Sequence, residues 1–216
     1  MGRLGRQMFT ADTLFGDGVA ATQRGFDSPG EMNADMVKIW NSCVRDGDVV
    51  WVLGSFFSVN AIPAPELMQA LNGTKYLIAG QLDQVFMPNA LNAKNLASRV
   101  AFHRELGFAG VVTGRAIARK IGLPVTLPLR TRADNLATPV SLSAFAYDAE
   151  QPDRFAAWRP KRPRTGVAPW LLHGGQEEWT VHNRQVNVSA DAWNLEPVGA
   201  DMILDLIDDA ESSHGS

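Results

Sequence analysis

The sequence predicts one α/β domain spanning 1–216, with parallel strands, and three features carry that prediction. Asp48-Val49-Val50-Trp51-Val52-Leu53 is a continuous apolar run that stops at Gly54, the pattern of a strand covered on both faces. Lys75-Tyr76-Leu77-Ile78-Ala79 repeats the design and stops at Gly80. Between them Ala64 to Leu71 reads as a helix closed by the turn Asn72-Gly73. Strand and helix therefore alternate, so the two strands run the same way and deliver their glycine loops to one sheet edge.

The remaining elements follow in chain order. Gln7 to Ala11 reads as a first short strand ending at Asp12, followed by a loop around Phe15-Gly16-Asp17-Gly18. Ser28-Pro29-Gly30-Glu31 starts a helix: Ser28 caps, Pro29 takes the first helical position where its missing N–H costs nothing, and Glu31 reaches back. That helix runs to Val44, with Met32, Met36, Ile39, Trp40 and Cys43 along one face. Ala93 to Leu106 reads as a helix, Phe108 to Thr113 and Pro124 to Leu129 as short strands, and Pro139 to Phe145 as a buried strand. From Asp148 to Pro169 the chain is polar and Pro-rich and reads as a surface loop. Trp170 to His173, Trp179 to His182 and Arg184 to Ser189 are three more strands, with Asn183 turning between the last two. Asp201 to Ala210 is an amphipathic helix, and residues 1–6 and 211–216 are expected to be flexible ends.

Composition sets limits on function. The 216 residues are 45% hydrophobic and 20% charged, with a net charge of −3, so no bulk attraction to nucleic acid or to a membrane is implied. The single cysteine, Cys43, excludes an internal disulfide framework and suits a reducing compartment, so a cytoplasmic address is expected. The sequence contains no apolar stretch long enough for a signal peptide or membrane span. Gly16-Asp17-Gly18 lacks the Lys-Ser/Thr of a phosphate-binding loop and the third glycine of a dinucleotide fingerprint.

The chemistry-bearing segments are Asp12-Thr13-Leu14, Gly54-Ser55, Gly80-Gln81-Leu82-Asp83, Ser143-Ala144 and Gly174-Gly175-Gln176-Glu177. With Phe15-Gly16, Ser28 to Met32, Trp40-Asn41-Ser42, Leu71 to Lys75, Phe155 to Pro160, Leu172-His173-Gly174 and Asn187 to Trp193, they give a pattern that resembles the bacterial and phage calcineurin-like metallophosphoesterases. The order and approximate spacing match from Phe9 to about Ile207. The resemblance implies an α-β-β-α sandwich of two packed mixed sheets flanked by helices, with a two-metal site built from loops at one edge. In that family the segments read roughly D-x-H, G-D, G-N-H-D, S-H and G-H-x-H.

Carried over position by position, the resemblance implies a degenerate member. Asp12 matches the first aspartate, but Leu14 stands at the histidine of D-x-H and Ser55 at the aspartate that bridges both metals. Gln81 stands at the asparagine ligand, Leu82 at the histidine that helps protonate the leaving group, and Ala144 at the histidine of S-H. Gly175 and Glu177 replace the last two histidines, while Asp83, a supporting residue in the family, is retained. Two cations about 3.5–4 Å apart need anionic oxygens and imidazoles converging from several loops. No resident metal or cofactor is therefore expected, and at most a single weakly bound divalent cation, with Asp12 and Glu177 as its candidate ligands.

Other candidates have plain structural readings. His173 reads as a hydrogen-bonded structural residue, His103 and His182 have no metal-ligand spacing, and His214 lies in the tail. Three functions are compatible with this set. The first is a catalytically inactive scaffold or protein-binding module, with contacts drawn from Phe56 and Phe57 at the former pocket edge or from Trp158, Arg159, Lys161, Arg162 and Arg164 in the basic loop. The second is a divergent phosphoesterase with one metal or none, using Asp12, Asp83, Glu177 or His173. The third is a small-ligand or nucleotide sensor that uses the former phosphate pocket. The partner expected is another protein, not a membrane or a specific nucleic acid.

Overall fold

The computed structural model describes residues 5–58, 65–80, 83, 101, 104–112, 125–130, 137–143, 169–175, 180–182 and 184–213. Strand β1 (Gln7–Thr10) is followed by helices α1 (Gly18–Gln23) and α2 (Pro29–Cys43). Strand β2 (Val49–Leu53), helix α3 (Pro65–Ala70) and strand β3 (Thr74–Ile78) come next. The later strands are β4 (Gly110–Val112), β5 (Val125–Arg130), β6 (Ala137–Ser143), β7 (Trp170–His173), β8 (Val181–His182), β9 (Gln185–Asn187) and β10 (Val198–Gly199). Helix α4 (Ala200–Ser213) ends the described chain.

Two five-stranded mixed sheets result, ordered β10-β1-β2-β3-β4 and β5-β6-β7-β9-β8. In the first, β2 and β3 are parallel as the sequence predicts, β1 and β4 flank them in the same direction, and β10 closes the edge antiparallel to β1. In the second, β6, β7 and β9 are parallel while β5 and β8 are antiparallel edges.

The alternation of side chains along the first sheet separates two cores. Met8, Val50, Val52 and Leu77 join a cluster with Met32, Met36 and Trp40 of α2 and Met68 of α3. Phe9, Leu53 and Ile78 point the other way and pack with Leu142, Leu172 and Val186 of the second sheet, and with Ile203, Leu204 and Ile207 of α4. Both faces of β2 are thus buried, which is why Val49 to Leu53 reads as an unbroken apolar run rather than an alternating one.

Local chemistry explains the helix boundaries. The Ser28 hydroxyl accepts from the Glu31 N–H at 3.2 Å, Pro29 sits in the first turn, and the Glu31 carboxylate accepts from the Asp27 N–H at 2.9 Å. Helix α1 was not expected; Asp17 caps it by accepting from the Ala20 N–H at 2.8 Å, and its six residues are too short to show a hydrophobic period. The tail expected to fray from Glu211 instead continues α4 to Ser213. Glu211 accepts from the Trp170 indole at 3.0 Å and from Arg184 at 3.1 Å, contacts far away in sequence. Arg6, placed among the flexible residues at the start, is pinned to Asp48 and to the Cys43 carbonyl. The strand or helix readings for Asn183, for most of Ala93 to Leu106 and for the loop from Asp148 to Ala168 lie outside the described residues.

Candidate functional site

The parallel strands β1, β2, β3, β7 and β9 end at one edge, and there the two sheets meet. Ala11, just past β1, bridges Ser189, just past β9, in parallel register. The Ala190 N–H donates to the Ala11 carbonyl at 2.8 Å, and the Val188 N–H to the His173 carbonyl at 2.9 Å. The loops that carry the sequence-predicted residues Asp12, Leu14, Ser55, Asp83, His173 and Gly175 are therefore neighbours at a single edge.

This edge is tightly built. A Cβ placed on Gly174 would lie 2.7 Å from the Ala11 Cβ, 2.8 Å from Asp12 Oδ2 and 2.8 Å from the Leu53 carbonyl oxygen. One on Gly80 would lie 2.9 Å from the Gly54 Cα and 2.9 Å from the Ser55 nitrogen. The glycines are what allow the β7 and β3 loops to press on the β1 and β2 loops. Three non-glycine residues here have positive φ: Asp12 at 48°, Leu14 at 53° and Ser55 at 35°. Such backbone costs about 1 kcal/mol or more per residue and persists only where its surroundings impose it.

Hydrogen bonds impose it. The Asp12, Leu14 and Phe15 N–H groups donate to the carbonyls of Gly54, Ser55 and Phe56 at 3.1, 3.1 and 2.9 Å, zipping the two loops together. The Arg24 side chain, 6% exposed, adds a clasp that the sequence did not announce. Its Nη2 donates to the Asp12 carbonyl at 2.9 Å and its Nη1 to the Thr13 carbonyl at 2.8 Å. Its Nε and Nη2 also grip the Asp191 carboxylate at 2.7 and 2.9 Å, in the 3-10 turn Ala190–Trp193. Arg24 sits in a polar stretch beside Gly25, and its anionic partner is 167 residues away, so no local pattern could have found it.

Asp83 is the other brace. Its carboxylate, 1% exposed, accepts from the Phe56 and Gly80 N–H groups at 2.8 Å each, tying the β2 loop to the β3 loop. Burial pushes its carboxyl up to about 6, and the backbone N–H groups around it oppose that rise only in part. His173 is fully buried with its Nδ1 3.0 Å from the Gly174 carbonyl.

The expected contact residues Phe56 and Phe57 are corrected by the structure. They are 0% and 2% exposed, and Phe56 packs on Phe15, Phe57 and Phe108 at ring separations of 5.1, 4.7 and 5.2 Å. Their apolar surface is satisfied inside the helix-side core and offers nothing to a partner. Leu14 is half-buried against the same core. Gln81, Leu82, Ala144 and Glu177 lie outside the described residues, as do Trp158, Arg159, Lys161, Arg162 and Arg164.

A metal pair of the implied kind does not fit the residues that are described here. Beside Asp12 stand an aliphatic side chain packed into the core at Leu14, a short neutral hydroxyl at Ser55 and no side chain at Gly175. Among the described residues no three His, Cys, Asp or Glu side chains are grouped so as to hold a metal ion. No helix among them is long and apolar enough to cross a membrane.

No family model matches the chain. It is similar to the Gene 66 protein of Mycobacterium phage L5, 29% identical over 199 residues that make up 88% of this chain and 87% of the relative. The Gene 66 protein of Mycobacterium phage D29 is 28% identical over 213 residues, 94% of this chain and 96% of the relative. A shorter match, 43% identical over 63 residues, joins 28% of this chain to 36% of an uncharacterized protein of Methanocaldococcus jannaschii. Among solved structures, a protein of unknown function from Aquifex aeolicus superposes with a TM-score of 0.56 at 13% identity, covering 94% of this chain and 99% of that one. That likeness speaks to the fold alone.

Proposed function

We propose that this chain is a calcineurin-like metallophosphoesterase sandwich that has lost its two-metal chemistry and works as a protein-binding or scaffold module. The observation that carries the reading is the pairing of a kept frame with a changed donor set at one edge. The glycine loops, the Asp83 brace and the close approach of Gly174 to Asp12 keep the loops converged. Leu14 and Ser55 stand where an imidazole and a shared carboxylate would be needed. Two divalent ions a few ångströms apart repel strongly, and only anionic oxygens between and around them offset that. A hydroxyl and an aliphatic group do not.

Metal content and turnover test it directly. Protein purified without chelator, incubated with excess manganese, desalted and measured by mass spectrometry is expected to hold less than stoichiometric metal and to leave bis(p-nitrophenyl) phosphate intact. Two metals per chain, with hydrolysis abolished by Asp12→Ala, would overturn the reading.

A further inference from the structure

Asn72-Gly73, the one Asn-Gly pair in the chain, joins α3 to β3 at the edge of the first sheet opposite the site loops. Such a pair sets an electrophile beside a nucleophile: the side-chain amide carbon of asparagine and the next backbone nitrogen, which glycine leaves unshielded because it has no Cβ. Both residues are half-buried, so water reaches the turn. Three hydrogen bonds hold Asn72. Its Nδ2 donates to the Val44 carbonyl at 3.0 Å, its N–H donates to Asn41 Oδ1 at 2.9 Å, and its carbonyl accepts from the Trp40 indole at 3.0 Å. Gly73 sits at φ +84°, and a Cβ there would lie 2.9 Å from Val44 Cγ1 and 3.1 Å from the Asp48 carbonyl oxygen. The turn is therefore pinned between the end of α2 and the start of β2.

We infer that Asn72 is a site of spontaneous deamidation gated by the fold, protected while α2 holds it, reactive when this junction opens, and unable to reclose in the native way once modified. The Gly73 nitrogen gives its proton to hydroxide and bonds to Asn72 Cγ. The Cγ–Nδ2 bond then breaks, ammonia leaves with a proton taken from water, and a water molecule opens the cyclic imide to aspartate or isoaspartate. Ring closure costs the bond to Val44, and turning the Asn72 backbone to allow it costs those to Asn41 and Trp40. An aspartate here sets a carboxylate oxygen against the Val44 carbonyl, two acceptors with no proton between them. Isoaspartate adds a methylene to the main chain just ahead of Thr74, whose N–H donates to the Asp48 carbonyl at 2.8 Å and which pairs with Val49. Either product loosens the join of α2 to β3. None of these steps involves the opposite edge, so metal binding there leaves them unchanged.

Peptide mapping with isoaspartate detection, on the full chain held at mildly alkaline pH with and without urea, tests it. The unfolded chain is expected to lose the Asn72 amide about tenfold or more faster than the native one, the gap that a required local opening produces. Asn41→Ala, which removes the acceptor of the Asn72 N–H, is expected to raise the native rate. Ser42→Ala, next along the same helix but bonded to the Ile39 carbonyl, is expected to leave it unchanged. Circular dichroism checks that both variants fold. Asn72→Asp, which reproduces one product, is expected to unfold at lower urea than the wild type at neutral pH. Equal rates in the folded and unfolded chain, a native rate unmoved by Asn41→Ala, or an Asn72→Asp chain as stable as the wild type would each overturn the proposal.

Discussion

Asp48 and Asp83 are both buried carboxylates at the ends of the first sheet, and their environments push their ionisation in opposite directions. Asp48 lies at the N-terminal end of β2, where burial pushes its carboxyl up but is outweighed by the Arg6 guanidinium and by the N–H groups of Arg45 and Arg6, which hold it below the usual range. Asp83 lies past the end of β3 and has backbone donors but no cation among its causes of shift, so burial wins and its carboxyl rises to about 6. Backbone dipoles alone do not restore what water gave a carboxylate; a fixed countercharge does. Asp83 thus ties the loops after β2 and β3 through backbone donors, while the Arg24 guanidinium clasps the loop after β1 to Asp191.

Arg24 gives the largest test of that contrast. Replacing it with methionine removes charge-assisted bonds to the Asp12 and Thr13 carbonyls and to Asp191, and releases the strained residues Asp12 and Leu14. The expected loss is about 4 kcal/mol of stability in urea unfolding. Arg24→Lys should recover little, since one ammonium cannot span both carbonyls and a carboxylate. A loss below about 1 kcal/mol would mean the β1 loop holds its shape through the β2 hydrogen bonds alone.

Much of this architecture was legible in the sequence, and the unread parts have a common cause. Strands β1 to β3 and helix α2 were readable because each buries a continuous or periodic apolar face, a signal contained in a dozen residues. That Ser55 and Asp83 share an edge followed from glycine loops after parallel strands, whereas the places of Asp12 and His173 beside them were only implied by the family resemblance. The Arg24–Asp191 clasp, the parallel bridge from Ala11 to Ser189 and the β10 edge were not readable, because each depends on pairing between distant segments. Phe56 and Phe57 were misjudged for a related reason. A loop after a strand suggests exposure, but the Asp83 brace turns this one back into the core.

The second test uses pH. The native Asp83 carboxyl binds its proton more tightly than the unfolded chain does, so from about 3.8 to about 6 the folded state holds more protons and stability falls as pH rises. Above 6 this contribution is flat, and the full difference is worth about 3 kcal/mol. Asp48 and Asp17 act with the opposite sign: their lowered carboxyls support the fold above the ordinary carboxylate range and lose that support as pH falls through their native values. Asp83→Asn should therefore cost more stability at pH 4.5 than at pH 7, because only the wild type gains from the protonated carboxyl. Equal costs at the two pH values would show that the backbone donors hold Asp83 as well as Arg6 holds Asp48.

The smallest expected effect comes from the site edge itself. Gly174→Ala adds one methyl group where Ala11, the Asp12 carboxylate and the Leu53 carbonyl already lie 2.7 to 2.8 Å from its position. Two of those atoms belong to β1 and β2 or their immediate ends, which cannot move without disturbing the sheet, so the Asp12 side chain must yield first. About 2 kcal/mol is expected for overpacking of this kind, and urea unfolding of Gly174→Ala beside the double variant Gly174→Ala with Asp12→Ala apportions it. If Asp12 is the group that gives way, the double variant regains part of the loss; if it regains none, the clash is with the sheet backbone, and the convergence of β7 on β1 and β2 is rigid in its own right.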